Sequence, residues 1–295
     1  MNLQILSNTI MEGRVNRTNE FEMKLLYPID ALNNPAFIEV LEVSYPASTK
    51  NVGENDCWFI LQIFYEDFKK NTDQTYEKCK LQFLSKDFII PEGIYSLKKL
   101  INFLNNMLEE YDIFFLKDND GKIRVSVNMY IEYWKKSNKF ELSSKSCENL
   151  KKKTKISLLL KLSKKLAFML GFKLEDLHFE QENNNETINT TAQTILSDYL
   201  PDVSDGLNKF YIYCDELERV LVGDTSAELL AIIPIDWVKQ GTGTGELINY
   251  SVDKVKKKFK KTIISSLHIS LKDGEGKLIP FDSGSVLINC IIHNA

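Results

Sequence analysis

The last third of the sequence alternates short apolar runs with turn residues. Residues 210–214, 263–271 and 286–292 are such runs, and 273–276 form a glycine-containing turn. In the final run, alternate residues share one side: Val286, Ile288, Cys290 and Ile292. A period of two between turn signals is typical of β-strands. The pattern therefore favours an antiparallel β building block, and it contains no catalytic constellation.

The first half adds a hairpin pattern and one amphipathic helix. Residues 113–128 predict a hairpin, because Asp120-Gly121 suits a tight turn. A helix is predicted over about 96–111, with Ser96 as its N-cap. Its apolar stripe has helical spacing and consists of Leu97, Leu100, Ile101, Leu104, Met107, Leu108 and Tyr111. We expect this stripe to pack against a sheet.

Many short strands with turn signals predict a mainly β fold. The class that fits is a jelly-roll β-sandwich with a packed amphipathic helix at about 96–111 and long loops. A second, short helix is predicted over 165–171, and the acidic, Asn-rich residues 174–191 are predicted as a long exposed loop. Strand patterns on both sides of that loop need partners. We therefore expect a single domain over 1–295 with inserted helix and loops, and 174–205 as the place for any subdivision.

The composition argues against several classes of protein. The net charge of −4 contrasts with the basic total usual for a nucleic-acid-binding domain, so such a contact would be local. The five cysteines form no CxxC pair, which disfavours zinc and thioredoxin-like sites and favours reduced, buried thiols in an intracellular chain. The N-terminus lacks a basic start and an apolar core, and no apolar run approaches the ~20 residues of a membrane span. We expect neither a signal peptide nor a membrane span.

A carboxylate cluster follows the first of the C-terminal strands. It consists of Asp215, Glu216, Glu218 and Asp224. Paired carboxylates can perform acid–base chemistry or bind a cation, but the spacing is not that of an EF-hand. We interpret them as solvated or inter-subunit charges. Asp215 and Asp224 are predicted to lie at an interface or in a turn.

A lysine run is the strongest local concentration of positive charge. Its predicted nucleic-acid-facing members are Lys256, Lys257, Lys258, Lys260 and Lys261. Such a run can neutralise phosphates by counterion release. Lysines on a strand edge also prevent sheet-to-sheet aggregation, so a solvated edge is the competing interpretation. Packaged DNA remains a candidate partner.

The remaining motifs give no catalytic or cofactor site. Residues 241–245 form a Gly/Thr loop without the Gly-Lys-Ser/Thr ending of a phosphate-binding loop. His178, His268 and His293 have no His or Cys at ligand spacing on the same element. We predict no enzyme activity, no cofactor and no metal.

Several segments resemble, in the same order, the minor capsid or penton proteins of Polinton/Maverick elements and related adintovirus-like viruses. The more specific ones are Tyr213-Cys214-Asp215, Val222-Gly223-Asp224 with 229–234, and the segment 271–284 before an apolar strand. Residues 41–46, 90–93 and 166–172 resemble the N-terminal half of that family. The resemblance thus spans most of the chain.

The resemblance implies a structural jelly-roll subunit. It implies homopentamers at the vertices of an icosahedral shell, contact with a double jelly-roll major capsid protein, and location in the virion of a virus or virus-like transposon particle. The alternative is a cellular ligand- or carbohydrate-binding β-sandwich, in which Tyr130, Tyr133 and Trp134 would stack on a sugar.

Overall fold

The computed structural model describes residues 1–8, 16–32, 34–70, 76–128, 152–184, 192–240 and 246–294. The chain folds into two compact units, which we call unit 1 (Met1–Asn51 with Gly206–Ala295) and unit 2 (Val52–Asp205).

The strands and helices follow one another in this order. The first five strands are β1 (Asn2–Leu6), β2 (Glu20–Asp30), β3 (Ala36–Pro46), β4 (Trp58–Lys70) and β5 (Tyr76–Ile89). The middle of the chain contains α1 (Leu97–Leu108), a 3-10 turn (Glu109–Tyr111), β6 (Ile113–Lys117), β7 (Ile123–Val127), β8 (Lys152–Leu162), α2 (Lys164–Leu170), β9 (Asp176–Asn184) and β10 (Gln193–Leu196). The last part contains β11 (Lys209–Cys214), β12 (Val220–Val222), β13 (Thr225–Ala227), β14 (Leu229–Pro234), β15 (Leu247–Ser251), β16 (Lys256–Lys258), β17 (Ile263–Lys272) and β18 (Leu287–Asn294).

Unit 1 is a jelly roll. One sheet has the order β1-β18-β3-β15, with β16 also paired to β3, and the other has the order β14-β11-β17-β2. Without the short β12, β13 and β16, the unit has eight strands. The first pairs with the eighth, the second with the seventh, the third with the sixth and the fourth with the fifth, all antiparallel. A long hairpin wrapped into two sheets in this way is the eight-stranded jelly roll.

The core of unit 1 follows from the alternation of apolar residues in its strands. In β18 and the residue before it, the predicted inward set is buried: Val286, Ile288, Cys290 and Ile292. In β17, Leu267, Ile269 and Leu271 are fully buried. The predicted β-sandwich of jelly-roll type is therefore confirmed, since both sheets contribute inward side chains to one apolar cluster.

Unit 2 has its own core between two sheets and two helices. The sheets have the orders β5-β4-β8-β9 and β10-β7-β6, and all pairings are antiparallel. Helix α1 begins at Ser96, whose hydroxyl accepts a hydrogen bond from the Lys99 N–H at 3.3 Å. It buries Leu100, Leu104 and Leu108 in the core. The predicted amphipathic helix is confirmed.

One expectation from the sequence differs from the structure. Part of the predicted loop 174–191 is strand β9, because Leu177 and Phe179 alternate into the core while β8 supplies hydrogen bonds on one side. Each of the two compact units has its own apolar cluster. Unit 2 ends at Asp205, which is also the end of 174–205, the range predicted from the sequence for any subdivision. Whether the units fold as one cooperative domain stays a prediction.

Candidate functional site

The acidic cluster and the lysine run, about 40 residues apart in sequence, lie side by side in unit 1. The Glu218 N–H donates to the Lys258 carbonyl at 2.9 Å, and the Lys260 N–H donates to the Glu216 carbonyl at 2.9 Å. Between them, Leu217 and Phe259 form an isolated β-bridge, and both side chains are buried. We call this arrangement the acid–lysine surface, defined by residues 215–219, Glu228 and 256–261.

The side chains of this surface form ion pairs within the chain. The ammonium of Lys258 lies 2.6 Å from the Glu218 carboxylate, that of Lys260 3.2 Å from Glu228, and that of Lys261 3.4 Å from Glu216. The Arg219 guanidinium lies 2.9 Å from Glu228. This hydrogen bond, with a second from Lys260, lowers the pKa of the Glu228 carboxyl. Three of the five predicted nucleic-acid-facing lysines therefore have a carboxylate partner within the chain.

Lys256 and Lys257 differ from the other three lysines. They lie in β16 opposite Glu39 and Ile38 of β3. The Glu39 carboxylate contacts His293 Nε2 at 2.8 Å. Neither lysine has an ion pair with the residues that the structure describes. These two cations are the part of the run that can still meet an external anion.

Asp215 and Glu216 connect the end of β11 to β17. The Asp215 Oδ2 lies 2.9 Å from His268 Nδ1 on an exposed edge of the surface. Glu216 is only 4% exposed, and its Oε2 accepts hydrogen bonds from the His268 N–H at 2.9 Å and from the Cys214 Sγ at 3.4 Å. Burial, and next the Glu216 carboxylate, raises the pKa of the Cys214 thiol well above its usual value. This geometry positions a turn and keeps the thiol protonated.

Asp224 lies at the tip of the two-residue hairpin between β12 and β13. Gly223 has φ of 64° there, a conformation that glycine adopts without steric cost. Within the described part of the chain, the Asp224 carboxylate has no hydrogen-bond partner. Leu221, in the same hairpin, is 83% exposed. The hairpin therefore presents an apolar side chain and a free carboxylate to solvent.

Other predicted candidates lie apart from this surface or outside the described residues. His178 is exposed on β9 of unit 2. The loop 241–245 and the aromatic residues Tyr130, Tyr133 and Trp134 lie outside the described residues. Within the described ranges, no three His, Cys, Asp or Glu side chains are grouped as a metal site requires. In the same ranges, no helix is both long enough and apolar enough to cross a membrane.

Solved structures similar to this chain include the following two. The mavirus penton protein is 10% identical, covers 100% of this chain and 98% of its own, and has a TM-score of 0.45. A chain in the structure of the Sputnik virophage is 11% identical, covers 99% and 96%, and has a TM-score of 0.47. No protein-family model matches the sequence, and no curated protein matches it. Penton proteins are also the class that the sequence motifs resemble. The jelly-roll assignment of unit 1 rests on its strand order.

Arg219 and Glu228 were not among the residues predicted from the sequence. They flank the 220–227 hairpin, one just before β12 and one just after β13. Opposite charges at the open end of a hairpin are cross-strand neighbours, so this signal was present in the sequence. The pairing of 216–218 with 258–260 had no such local signal.

Proposed function

We propose that this chain is a structural subunit of a viral capsid: a minor capsid (penton) protein that forms homopentamers at the vertices of an icosahedral shell. It would lie in the virion, contact a double jelly-roll major capsid protein and perform no catalysis. The observation that carries the proposal is the strand pairing of unit 1. The eight-stranded jelly roll is an architecture of viral capsid and lectin domains.

A fold alone does not fix a function, so the family-like motifs decide between these uses. Tyr213-Cys214-Asp215 ends β11, Val222-Gly223-Asp224 makes the hairpin tip, and 229–234 is β14. β11 and β14 are the fourth and fifth strands of the jelly roll, and the hairpin lies in the connection between them. This more specific part of the resemblance therefore falls on one jelly-roll strand pair and its connection, which supports a capsid subunit over a cellular binding protein.

A closed ring of five subunits repeats one heterologous interface, so each subunit needs two unlike patches. Unit 1 offers two apolar protrusions on different strands. One is Leu221 in the β12–β13 hairpin, and the other is Leu26 and Tyr27 in the edge strand β2, which are 86% and 74% exposed. Exposed apolar side chains of this size support an interaction surface.

Native mass spectrometry over a concentration series tests the assembly. We expect a species of five 34.0-kDa chains, about 170 kDa. A strict monomer at every concentration, both alone and with a major capsid protein, contradicts the proposal.

A charge reversal tests the interface assignment of the hairpin. Asp224→Lys should shift the pentamer towards monomer without changing the melting temperature, because the carboxylate has no hydrogen-bond partner among the described residues. Asp120→Lys is the matched control, since Asp120 is also exposed beside a glycine at a hairpin tip, but in unit 2. Equal effects of the two variants would remove Asp224 from the interface.

Contact with packaged DNA is part of the proposal only through Lys256 and Lys257, because the other three lysines have internal carboxylate partners. Binding to duplex DNA should weaken with salt by a log–log slope of about −0.9 for each phosphate contacted. A Lys256→Gln, Lys257→Gln double variant should lower that slope by about two such contacts. An unchanged slope argues against this contact.

A further inference from the structure

Unit 2 contains a cavity of about 390 Å³ beside the C-terminal end of α2. Its apolar wall consists of Ala167, Phe168, Phe172, Tyr199 and Leu200. Its rim carries Lys164, Lys173, Glu175 and Asp202. The volume lies within the range of about 300–1,000 Å³ found for small-molecule sites, which combine an apolar lining with a few polar groups.

The apolar wall is unusual because much of it faces solvent. Phe168 is 52% exposed, Tyr199 is 61% exposed and Leu200 is 63% exposed. Leaving large side chains exposed contributes little to the stability of the fold, since stability comes from burial. Grouped exposed apolar residues of this kind are typical of a binding site.

The segment that carries Tyr199 is held firmly in place. The Tyr199 N–H donates to the Gly171 carbonyl at 2.9 Å, and the Ser197 hydroxyl donates to the Tyr199 carbonyl at 2.9 Å. The Lys173 N–H donates to Asp198 Oδ2 at 2.8 Å. Gly171 has φ of 83°, and a Cβ there would lie 2.3 Å from the Tyr199 carbonyl oxygen, so only glycine allows this close approach. The backbone that carries the Tyr199 ring is thus pre-organised, which lowers the entropy cost of binding.

The rim presents donors and acceptors of both kinds. Lysine ammonium groups only donate, and ionised carboxylates only accept. Within the described ranges, Lys164, Lys173 and Glu175 form no ion pair. Asp202 uses Oδ1 to accept from the Ser204 N–H at 2.9 Å, which leaves Oδ2 for another donor. The two signs of charge balance, so the rim favours a neutral ligand over an anion.

We propose that this cavity binds a neutral pyranose ring, such as the terminal residue of a glycan. A hydroxyl group both donates and accepts hydrogen bonds, so it can use an ammonium and a carboxylate at once. The C–H face of the ring would pack on the exposed aromatic rings, and its hydroxyls would meet the rim. An apolar protein side chain in the same place would make no hydrogen bonds with Lys164, Lys173 or Glu175. The proposal is independent of the capsid proposal, because it concerns unit 2 alone.

Saturation-transfer NMR with simple sugars tests this site on the full-length protein. The probes are methyl α-glucopyranoside, methyl α-mannopyranoside, methyl α-galactopyranoside and methyl β-N-acetylglucosaminide. We expect saturable binding of at least one of them. Tyr199→Ala and Phe168→Ala should each weaken it about tenfold or more, as truncation of an aromatic anchor usually does. Phe83→Ala is the matched control: it removes a similarly exposed aromatic ring from β5 of the same unit, outside the cavity lining, and should leave the affinity unchanged.

The variants should fold, because the side chains removed are mostly exposed and the hydrogen bonds of residue 199 come from its backbone. Glu175→Gln provides a second line of test, since it removes a rim charge without touching the rings, and it should weaken binding severalfold. If none of the four sugars binds, or if Tyr199→Ala binds as well as the native protein, the proposal is overturned. Either result leaves the pentamer test unaffected.

Discussion

Replacing Glu216 by alanine should destabilise unit 1 far more than replacing Glu218, two residues later. Both carboxylates pair with lysines of the same run. They differ in burial, since the Glu216 side chain is 5% exposed and the Glu218 side chain 48% exposed. They also differ in backbone contacts, because Glu216 accepts the His268 N–H of β17 at 2.9 Å.

The magnitude follows from these contacts. Glu216→Ala leaves a part-buried N–H without its charged acceptor, which costs about 1–3 kcal/mol. The Lys261 ammonium lies 3.4 Å away and is 55% exposed, so this ion pair adds at most about 1 kcal/mol after screening. We expect a total loss of about 2–3 kcal/mol. For Glu218→Ala, whose lysine partner is also exposed, the loss should be about 0–1 kcal/mol.

Urea unfolding followed by circular dichroism measures the difference. At a slope of about 3 kcal/mol/M, the midpoint should fall by about 0.7–1 M for Glu216→Ala and by less than about 0.3 M for Glu218→Ala. Glu216→Gln should lie between them, because the amide oxygen can still accept the His268 N–H. If the two alanine variants lose equal stability, or if Glu218→Ala loses more, burial and backbone hydrogen bonding are not what make Glu216 important.

Three other outcomes follow from the structure. Gly284→Ala should lower the free energy of unfolding by about 2 kcal/mol or more in the same assay, because φ is 99° and the new Cβ would lie 2.6 Å from Pro46, the last residue of β3. Gly274→Ala is the control: no atom lies within 4 Å of its Cβ, so the free energy of unfolding should change by less than about 0.5 kcal/mol. Burial raises the pKa of the Cys57 thiol to about 12, so iodoacetamide at pH 8 should label it only after unfolding, and rapid labelling of the native protein would contradict this. A hydrogen bond from Arg219 lowers the pKa of Glu228 below its usual 4.5, so this pair stabilises the fold above about pH 4.5 and loses its effect as the pH falls through the lowered pKa. Glu228→Gln should therefore cost about 0–1 kcal/mol at pH 7 and progressively less as the pH falls, and a cost that does not shrink with falling pH would refute the ion-pair explanation.

The parts of the fold that the sequence predicted are those with a local signal. The inward set of β18 is a simple alternation, and each member is buried. Helix α1 has an N-cap at Ser96 and a stripe at helical spacing, and it begins at the predicted place. Strand β9 was missed because only Leu177 and Phe179 alternate within an acidic, Asn-rich stretch, so composition outweighed a two-residue pattern. β9 is an edge strand of its sheet and pairs only with β8 among the described strands, and edge strands commonly carry charged and polar residues.

The candidate site was predictable by residue type but not by arrangement. The carboxylates and the lysines were both recognised as clusters, whereas their pairing depends on β16 and the segment after it meeting residues 216–218 across about 40 residues. Periodicity gives no information on contacts at that separation. The consequence for function is direct: in a run that resembles a phosphate-binding strip, three of the five lysines form ion pairs with Glu216, Glu218 and Glu228.

The position of unit 2 explains why the sequence suggested one domain. It interrupts the connection between β3 and β11, the third and fourth strands of the jelly roll, and none of the antiparallel pairs of unit 1 is lost by this insertion. An insertion needs two ends that lie close together. In unit 2, the Lys165 ammonium meets both ends, at 2.7 Å from Asp56 and 3.2 Å from Asp205. Because loop-closure entropy grows slowly with length, a connection closed in this way can hold 154 residues at little cost to the jelly roll. The strands before unit 2, β1 to β3, pair with strands after it, β15, β17 and β18. Strand patterns therefore occur on both sides of unit 2 in the sequence, as they would in a single continuous β domain.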